Sequence, residues 1–367
     1  MDPRLYVRCQ GRSDTTTALE AGADLRQGRA ALTQAVHGES ILAGDVGGTK
    51  TELALFARSG GGLREIRART FPSREYPSLA VIVGAFLEPE PGGSVAAACF
   101  GVAGPVRGGK ARITNLPWEL EEEALARTMG VPRVRLLNDL QAAAYGMLRL
   151  APERFETLHP GSGDAGGNAA VIAPGTGLGE AILHWDGRRY HAIASEGGHA
   201  DFAPRDEQEI ELLRWLRGRV GAHVSYERVL SGEGIQHLYL FLRDSGHVPE
   251  PAWLREKLAQ GDPNAAITEV GLAGGHPLCV ATLESFCSIL GAEAGNLALR
   301  CTAAAGVFVG GGIAPKILPA LKKGGFVRAF TDKGRFAQWM AAVPVRVALD
   351  PRAPVMGAAH FLLEDAG

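Results

Sequence analysis

Glu196-Gly197-Gly198-His199 sets a hydrogen-bond acceptor and a donor around two residues that carry no side chain. That arrangement leaves room for a small polyol, whose hydroxyls need both kinds of partner. A metal site is the rival reading, but the spacing is not that of an HExxH pair and no third ligand is evident. Glu227, ahead of Arg228-Val229-Leu230-Ser231-Gly232, is either a further acceptor for such a ligand or the partner of a nearby arginine. Asn138-Asp139 closes an apolar, strand-like run and opens a helix-like one. Junctions of this kind present functional groups, and a helix N-cap is the alternative role.

Three glycine-rich turns offer a place for a phosphorylated reactant. Gly44-Asp45-Val46-Gly47-Gly48-Thr49-Lys50-Thr51 falls in the register of a Walker A loop, except that Thr49 stands where the second glycine must be. The flanks reject that motif: 40–43 and 52–56 both suit strands, so the stretch reads as a hairpin. Pro174-Gly175-Thr176-Gly177-Leu178-Gly179 repeats the layout between the apolar runs 170–173 and 180–183. Glycine turns let backbone N–H groups converge on an anion. Thr49 and Thr176 add a hydroxyl to each, so two facing hairpins could hold a nucleotide's phosphates from both sides. Asp45 either accepts a hydrogen bond from a magnesium-bound water or caps its turn. Gly310-Gly311-Gly312 follows a strand-like run and precedes a helix-like stretch from Pro315. These glycines suit the close approach of a flat ligand such as adenine to a helix N-terminus.

The elements that must position these groups alternate between β and α. The spacing predicts strands over 95–102, 134–137 and 307–309, and helices over 119–129, 140–150, 206–217, 232–243, 251–259 and 278–304. A glycine-rich connector covers 161–168. A hairpin that recurs within such a series predicts a duplicated α/β unit.

The chain has 367 residues, 46% hydrophobic and 21% charged, with a formal net charge of −2. That length supports two domains with buried cores. The near-neutral balance gives no support for nucleic acid or an acidic membrane as partner, and no apolar segment is expected to reach bilayer-spanning length. Cysteines at 9, 99, 279, 287 and 301 are odd in number and lack CxxC spacing. Buried thiols in a reducing cytoplasm are expected. Residues 1–40 are polar, with a threonine run at 15–17 and no apolar signal core. They read as a poorly ordered extension, with a short polar helix possible over 18–35, or as an over-extended start.

GDVGGTKTELALF, GVAGPV, TNLPW, LLNDLQAAAYG, APGTGLGEA, SEGGHADFAP, YERVLSGEGI and VFVGGGIAPKI, in this order, closely resemble bacterial glucokinases over about 41–367. The resemblance implies an α/β, two-domain, actin-like or hexokinase-type ATPase fold of duplicated ribonuclease H-like units around a cleft. It divides the chain into a small domain of 41–139 plus about 345–367 and a large domain of 140–344. It implies transfer of the ATP γ-phosphoryl group to glucose with Mg²⁺, in a cytoplasmic homodimer.

Carried over by position, Asp139 matches the catalytic base and, with Asn138, Glu196, His199, Glu227 and Asn115, the sugar site. Gly44, Asp45, Val46, Gly47, Gly48 and Thr49 match the first phosphate loop, and Gly175, Thr176 and Gly177 the second. Gly310, Gly311 and Gly312 match the adenosine site. Asp139 is expected to be kept ionised by its helix N-terminus. Lys50 departs from the asparagine common in this group and in the related ROK sugar kinases, whose cysteine-rich zinc motif is absent. Rival readings are an N-acetylated sugar kinase, a non-catalytic sugar- or ATP-sensing regulator, and a filament subunit. A regulator would be expected to carry a DNA-binding segment, and 1–40 shows no helix-turn-helix pattern. A filament would not need Asn138-Asp139 beside SEGGH.

Overall fold

The computed structural model describes residues 40–60, 62–88, 95–246 and 248–364. The expected N-terminal extension, its polar helix and Cys9 lie outside the described residues.

The first half opens with β1 (Ser40–Val46), β2 (Lys50–Ser59) and β3 (Gly62–Pro72), followed by helix α1 (Leu79–Leu87) and β4 (Val95–Val102). Three short strands then form a separate antiparallel sheet: β5 (Val106–Arg107), β6 (Lys110–Arg112) and β7 (Glu119–Glu121). Helix α2 (Glu122–Met129), β8 (Val134–Asn138) and helix α3 (Asp139–Met147) complete this half. The main sheet runs β3-β2-β1-β4-β8. β1 pairs antiparallel with β2 and parallel with β4, so it is flanked on both sides. Ser-Ile-Leu-Ala-Gly-Asp-Val is accordingly a near-continuous buried run rather than an alternating one.

The second half repeats the plan with β9 (Phe155–His159), β10 (Ala169–Pro174), β11 (Leu178–Trp185), β12 (Tyr190–Ser195), β13 (Gly306–Val309) and β14 (Val345–Ala348). Its order is β12-β11-β10-β13-β14-β9. β10 pairs antiparallel with β11 and parallel with β13, as β1 does with β2 and β4. The duplication read from the two hairpins is thus present over the five strands of the first sheet, with β9 an addition at the edge of the second. Between β12 and β13 lie helices α4 (Glu207–Val220), α5 (Gly232–Asp244), α6 (Ala252–Ala259), α7 (Pro263–Leu272) and α8 (Pro277–Cys301). Helices α9 (Leu318–Leu321), α10 (Gly325–Thr331) and α11 (Ala337–Ala342) precede β14, and α12 (Ala353–Glu364) follows it.

Two apolar cores lie outside the junction. One is under the first sheet, with Phe71, Phe86 and Phe100, and one is among the helices of the second half, with Phe286, Phe326 and Phe330. A third cluster joins the halves: Ile41, Ala43 and Leu137 from the first sheet meet Val171 and Leu183 from the second, with Ala142, Val355 and Leu362 between them. The layer between the sheets is therefore built from α3 and α12.

Three expectations need correction. The helix expected over 119–129 begins only at Glu122, because Leu120 is buried in β7 and Lys110 pairs with Glu121 across the strands at 3.1 Å. The helix expected from Pro315 is a series of turns, followed by the four residues of α9. Pro315 and Pro319 each remove a backbone donor there, which breaks the helical ladder. One segment does reach bilayer-spanning length: α8 has 25 residues and a mean hydropathy of 1.3 in its most apolar window. That window is 72% buried, which makes α8 the central helix of the larger core. Cys279, Cys287 and Cys301 on α8 and Cys99 on β4 are buried, as the thiol reading expects.

Candidate active site

The first glycine turn joins β1 to β2 as a hairpin. Gly47 N–H donates to Lys50 O at 2.9 Å, closing the turn. Ser73, just after β3, clamps it: its hydroxyl donates to Gly47 O at 2.8 Å and its N–H to Thr49 O at 3.0 Å. A buried contact of 2.9 Å between Ser73 Oγ and Thr51 Oγ1 completes the support. The turn also lies against TNLPW, since a Cβ on Gly48 would come within 2.7 Å of Thr114 O and 3.3 Å of Asn115 Cβ. Asn115 is exposed at a φ of 66°, the left-handed region that asparagine tolerates better than most residues.

The second turn is held by Gly175 N–H to Gly177 O at 2.8 Å and by Gly232 N–H to Gly175 O at 2.9 Å. Leu178 N–H donates to Glu227 Oε2 at 2.9 Å. A Cβ on Gly177 would stand 2.4 Å from that same oxygen, so only glycine lets Glu227 close over the turn. Glu227 Oε1 in turn lies 4.0 Å from His199 Nδ1. The triple glycine packs on the same strand end: Gly310 N–H bonds Ile172 O at 2.8 Å, and Gly311, at a φ of 76°, sits against Pro174 O.

Asn138 and Asp139 occupy the start of α3. Asn138 Oδ1 accepts from Leu140 N–H at 2.9 Å and Gln141 N–H at 3.4 Å, and Gln141 Oε1 accepts from Asn138 N–H at 3.1 Å. This reciprocal cap is worth about 1 kcal/mol to the helix. It also fixes the side chain, whose amide donates to Gly104 O at 3.3 Å and keeps a second N–H available. Both roles read for Asn138 are thus open to one side chain. Gln141 Nε2 reaches across to Ala192 O on β12 at 2.9 Å, tying α3 to the strand that leads into Glu196.

The carboxylates share one field. Burial pushes Asp45 up to about 7, with the charge of Asp139 adding to it and Lys50 opposing. Burial also pushes Asp139 up to about 6, and the negative charge of Glu196 acts in the same direction. The Leu140 N–H bonded to Asp139 lowers it, as a helix N-terminus should, but burial outweighs that effect. Asp139 therefore stands electrostatically between Asp45 at the first turn and Glu196 at the loop after β12. Glu196 and His199 are exposed on a short helical turn after β12.

Ser73 was not legible as a site support, because only the folding back of β3 beside β2 brings it to the first turn; Gln141, three residues after Asn138, does carry the spacing of a reciprocal cap. A cavity of about 600 Å³ lined by Arg205, Glu209, Glu284, Lys323 and Arg328 shares no residue with this cluster. Among the described residues no group of three or more His, Cys, Asp or Glu is placed to hold a metal. Asp45 still fits a magnesium ion, which takes one or two carboxylates and otherwise water and phosphate oxygens.

Residues 42–365 match the family model described as Glucokinase. A glucokinase of Trichormus variabilis is 39% identical over 339 residues, covering 87% of this chain and 97% of its own. The solved structure of a glucokinase from an Antarctic psychrotroph is 32% identical and superposes with a TM-score of 0.78, covering 89% of this chain and all of its own. A glucokinase of Balamuthia mandrillaris, solved in complex with glucose, shares the fold at 21% identity and a TM-score of 0.75, over 93% of this chain and 98% of its own.

Proposed function

The chain belongs to the glucokinase family, kinases that phosphorylate glucose with ATP, and we propose that its transfer runs in the cleft between the two turns with Asp139 as general base. The position of Asp139 carries this reading: it opens α3 beside the capping Asn138, its charge acts on Asp45 at the first turn, and that of Glu196 acts on it from the loop after β12. A base must reach the sugar hydroxyl while the γ-phosphoryl group lies close by, and a carboxylate between the first turn and the loop of Glu196 meets that need.

Glucose is gripped by Glu196, His199, Glu227, Asn138 and Asn115, with Asp139 on the 6-hydroxyl. The two hairpins, Gly44–Thr49 and Gly175–Gly177, turn backbone N–H groups to the ATP phosphates, and Gly310–Gly312 border the adenosine. Asp45 would hold Mg²⁺ through water; when bound, that ion offsets phosphate charge. Asp139 takes the proton of the attacking hydroxyl as the bond to phosphorus forms. The transition state is loose, so positioning and charge stabilisation dominate the rate. The family resemblance further supports a cytoplasmic homodimer, which mass measured in solution would test.

Release of ADP with Mg-ATP is the direct test, comparing glucose, N-acetylglucosamine, N-acetylmannosamine and no sugar. Strong stimulation by glucose alone is expected. Stimulation by an N-acetyl sugar would keep the mechanism and overturn the substrate, whereas sugar-independent or absent release would remove the kinase reading.

Glu196→Gln should raise the glucose KM about tenfold or more while largely sparing kcat, since a charged hydrogen bond contributes about 1.5–3 kcal/mol. An unaltered KM would take Glu196 out of the sugar site.

A further inference from the structure

Behind the sugar-facing loops lies a buried carboxyl pair that the transfer reaction does not use. Glu180 on β11 is 1% exposed and Glu293 on α8 is fully buried. Glu293 is well partnered, accepting from Arg300 Nη1 at 2.6 Å and from Asn296 Nδ2 at 2.9 Å. Neither oxygen of Glu180 has a donor among the described residues. A bare carboxylate buried against a second one would be costly. A carboxyl that keeps its proton and donates that O–H to Glu293 as a hydrogen bond removes the excess charge and satisfies one of the two orphaned oxygens. Burial, with the charge of Glu293, pushes Glu180 up to about 8.

The pair is seated under both sugar loops. Glu180 pairs across the sheet with Ser195, the residue before Glu196. A Cβ on Gly197 would lie 2.1 Å from Glu180 Oε2, so the backbone between Glu196 and His199 rests on this carboxyl. On the other side Asn296, already bonded to Glu293, donates to the Tyr226 hydroxyl at 3.1 Å, and Tyr226 precedes Glu227.

We propose that Glu180 is a positioning residue for glucose: a protonated carboxyl hydrogen-bonded to Glu293 that seats the loops of Glu196, His199 and Glu227, and whose ionisation loosens them. The proposal rests on the reading of those loops as the sugar site. The charged and titratable groups around the pair are Arg300 and Cys301 at the end of α8, Tyr226 after the second turn, and Lys333. Arg300 opposes ionisation-driven repulsion but is engaged with Glu293, and Lys333 Nζ is bonded to Asn296 Oδ1 at 2.8 Å. Loss of the proton therefore sets two carboxylates against each other under Gly197.

The test is glucose KM and kcat for the wild type and Glu180→Gln between about pH 7 and pH 9. Glutamine keeps the shape, donates an N–H to Glu293 and cannot ionise. The wild-type KM is expected to rise about tenfold across that range with kcat flat, following one lost proton, while Glu180→Gln holds its KM constant. A flat wild-type KM, or an alkaline rise that survives in Glu180→Gln, would overturn the proposal. Should the variant not fold, infrared spectra of the wild type decide. A protonated-carboxyl band that persists at about pH 8 and fades in step with the rise in KM supports it, and absence of the band overturns it. Glu196→Gln separates the two failures, because an unchanged KM there removes the sugar site itself whatever Glu180 does.

Discussion

Asp139→Asn is expected to lower kcat by on the order of 10²–10⁴-fold while glucose still binds. The substitution keeps the size of the side chain and its place at the start of α3, where Asn138 rather than Asp139 supplies the reciprocal cap. What it removes is the basicity of the carboxylate: an amide oxygen can accept a hydrogen bond from the hydroxyl but cannot take its proton. Binding contacts from Glu196, His199 and Glu227 stay in place, so the loss should fall on kcat and spare KM. Turnover near the wild-type level would take Asp139 out of the base role.

The same group predicts a pH profile for the wild type. The proton affinity of Asp139 is raised to about 6. The active form is the ionised one, so kcat/KM, which follows the free enzyme, should fall about tenfold per unit as pH drops below that value. Asp45 is raised to about 7 in the field of Asp139. Bound Mg²⁺ would favour its charged form, which moves its titration below the working range. An acid limb that persists unchanged in Asp139→Asn would assign the titration to another group.

Much of this site was legible because its chemistry is written in contiguous residues. The hairpin reading of GDVGGTKT needed only its two apolar flanks, and β1 and β2 pair from Ser40 with Ala57 to Val46 with Thr51. The duplicated plan followed from one further hairpin. Features assembled by tertiary contact were not legible. Ser73 reads as an ordinary residue after a strand until β3 folds back beside β2 and brings it under Gly47. Glu180 reads as a polar end to a glycine turn, and only the packing of α8 against the second sheet brings Glu293 to act on it. The failed helix at Pro315 has a local cause in two prolines, but the strand at Glu119 does not. Its helix-like composition is overridden by pairing with β6.

Gly357→Ala is expected to cost the fold about 1–3 kcal/mol or more and to lower turnover about 10²-fold in the protein that still folds. Gly357 on α12 faces α3 at backbone distance: a Cβ there would stand 1.8 Å from Ala142 O and 2.4 Å from Gly146 N. Gly146 on α3 is its counterpart, with an added Cβ 1.8 Å from Ala353 O. Both obstacles are main-chain atoms, which cannot rotate away as a side chain could. Alanine's advantage in an isolated helix, about 1 kcal/mol over glycine, does not offset a forced separation of two packed helices. The separation would be felt at the chemistry because α3 begins at Asp139, and a shift of about 1 Å at a reacting group can cost 10²-fold. Gly218→Ala on α4 is the control, since an added Cβ there meets nothing within 4 Å, and it should be neutral or slightly stabilising. Denaturant midpoints and single-turnover rates of the two variants separate the effects. A Gly357→Ala protein as stable and as fast as Gly218→Ala would mean that the α3–α12 contact neither sets the stability of the junction nor holds Asp139 in place.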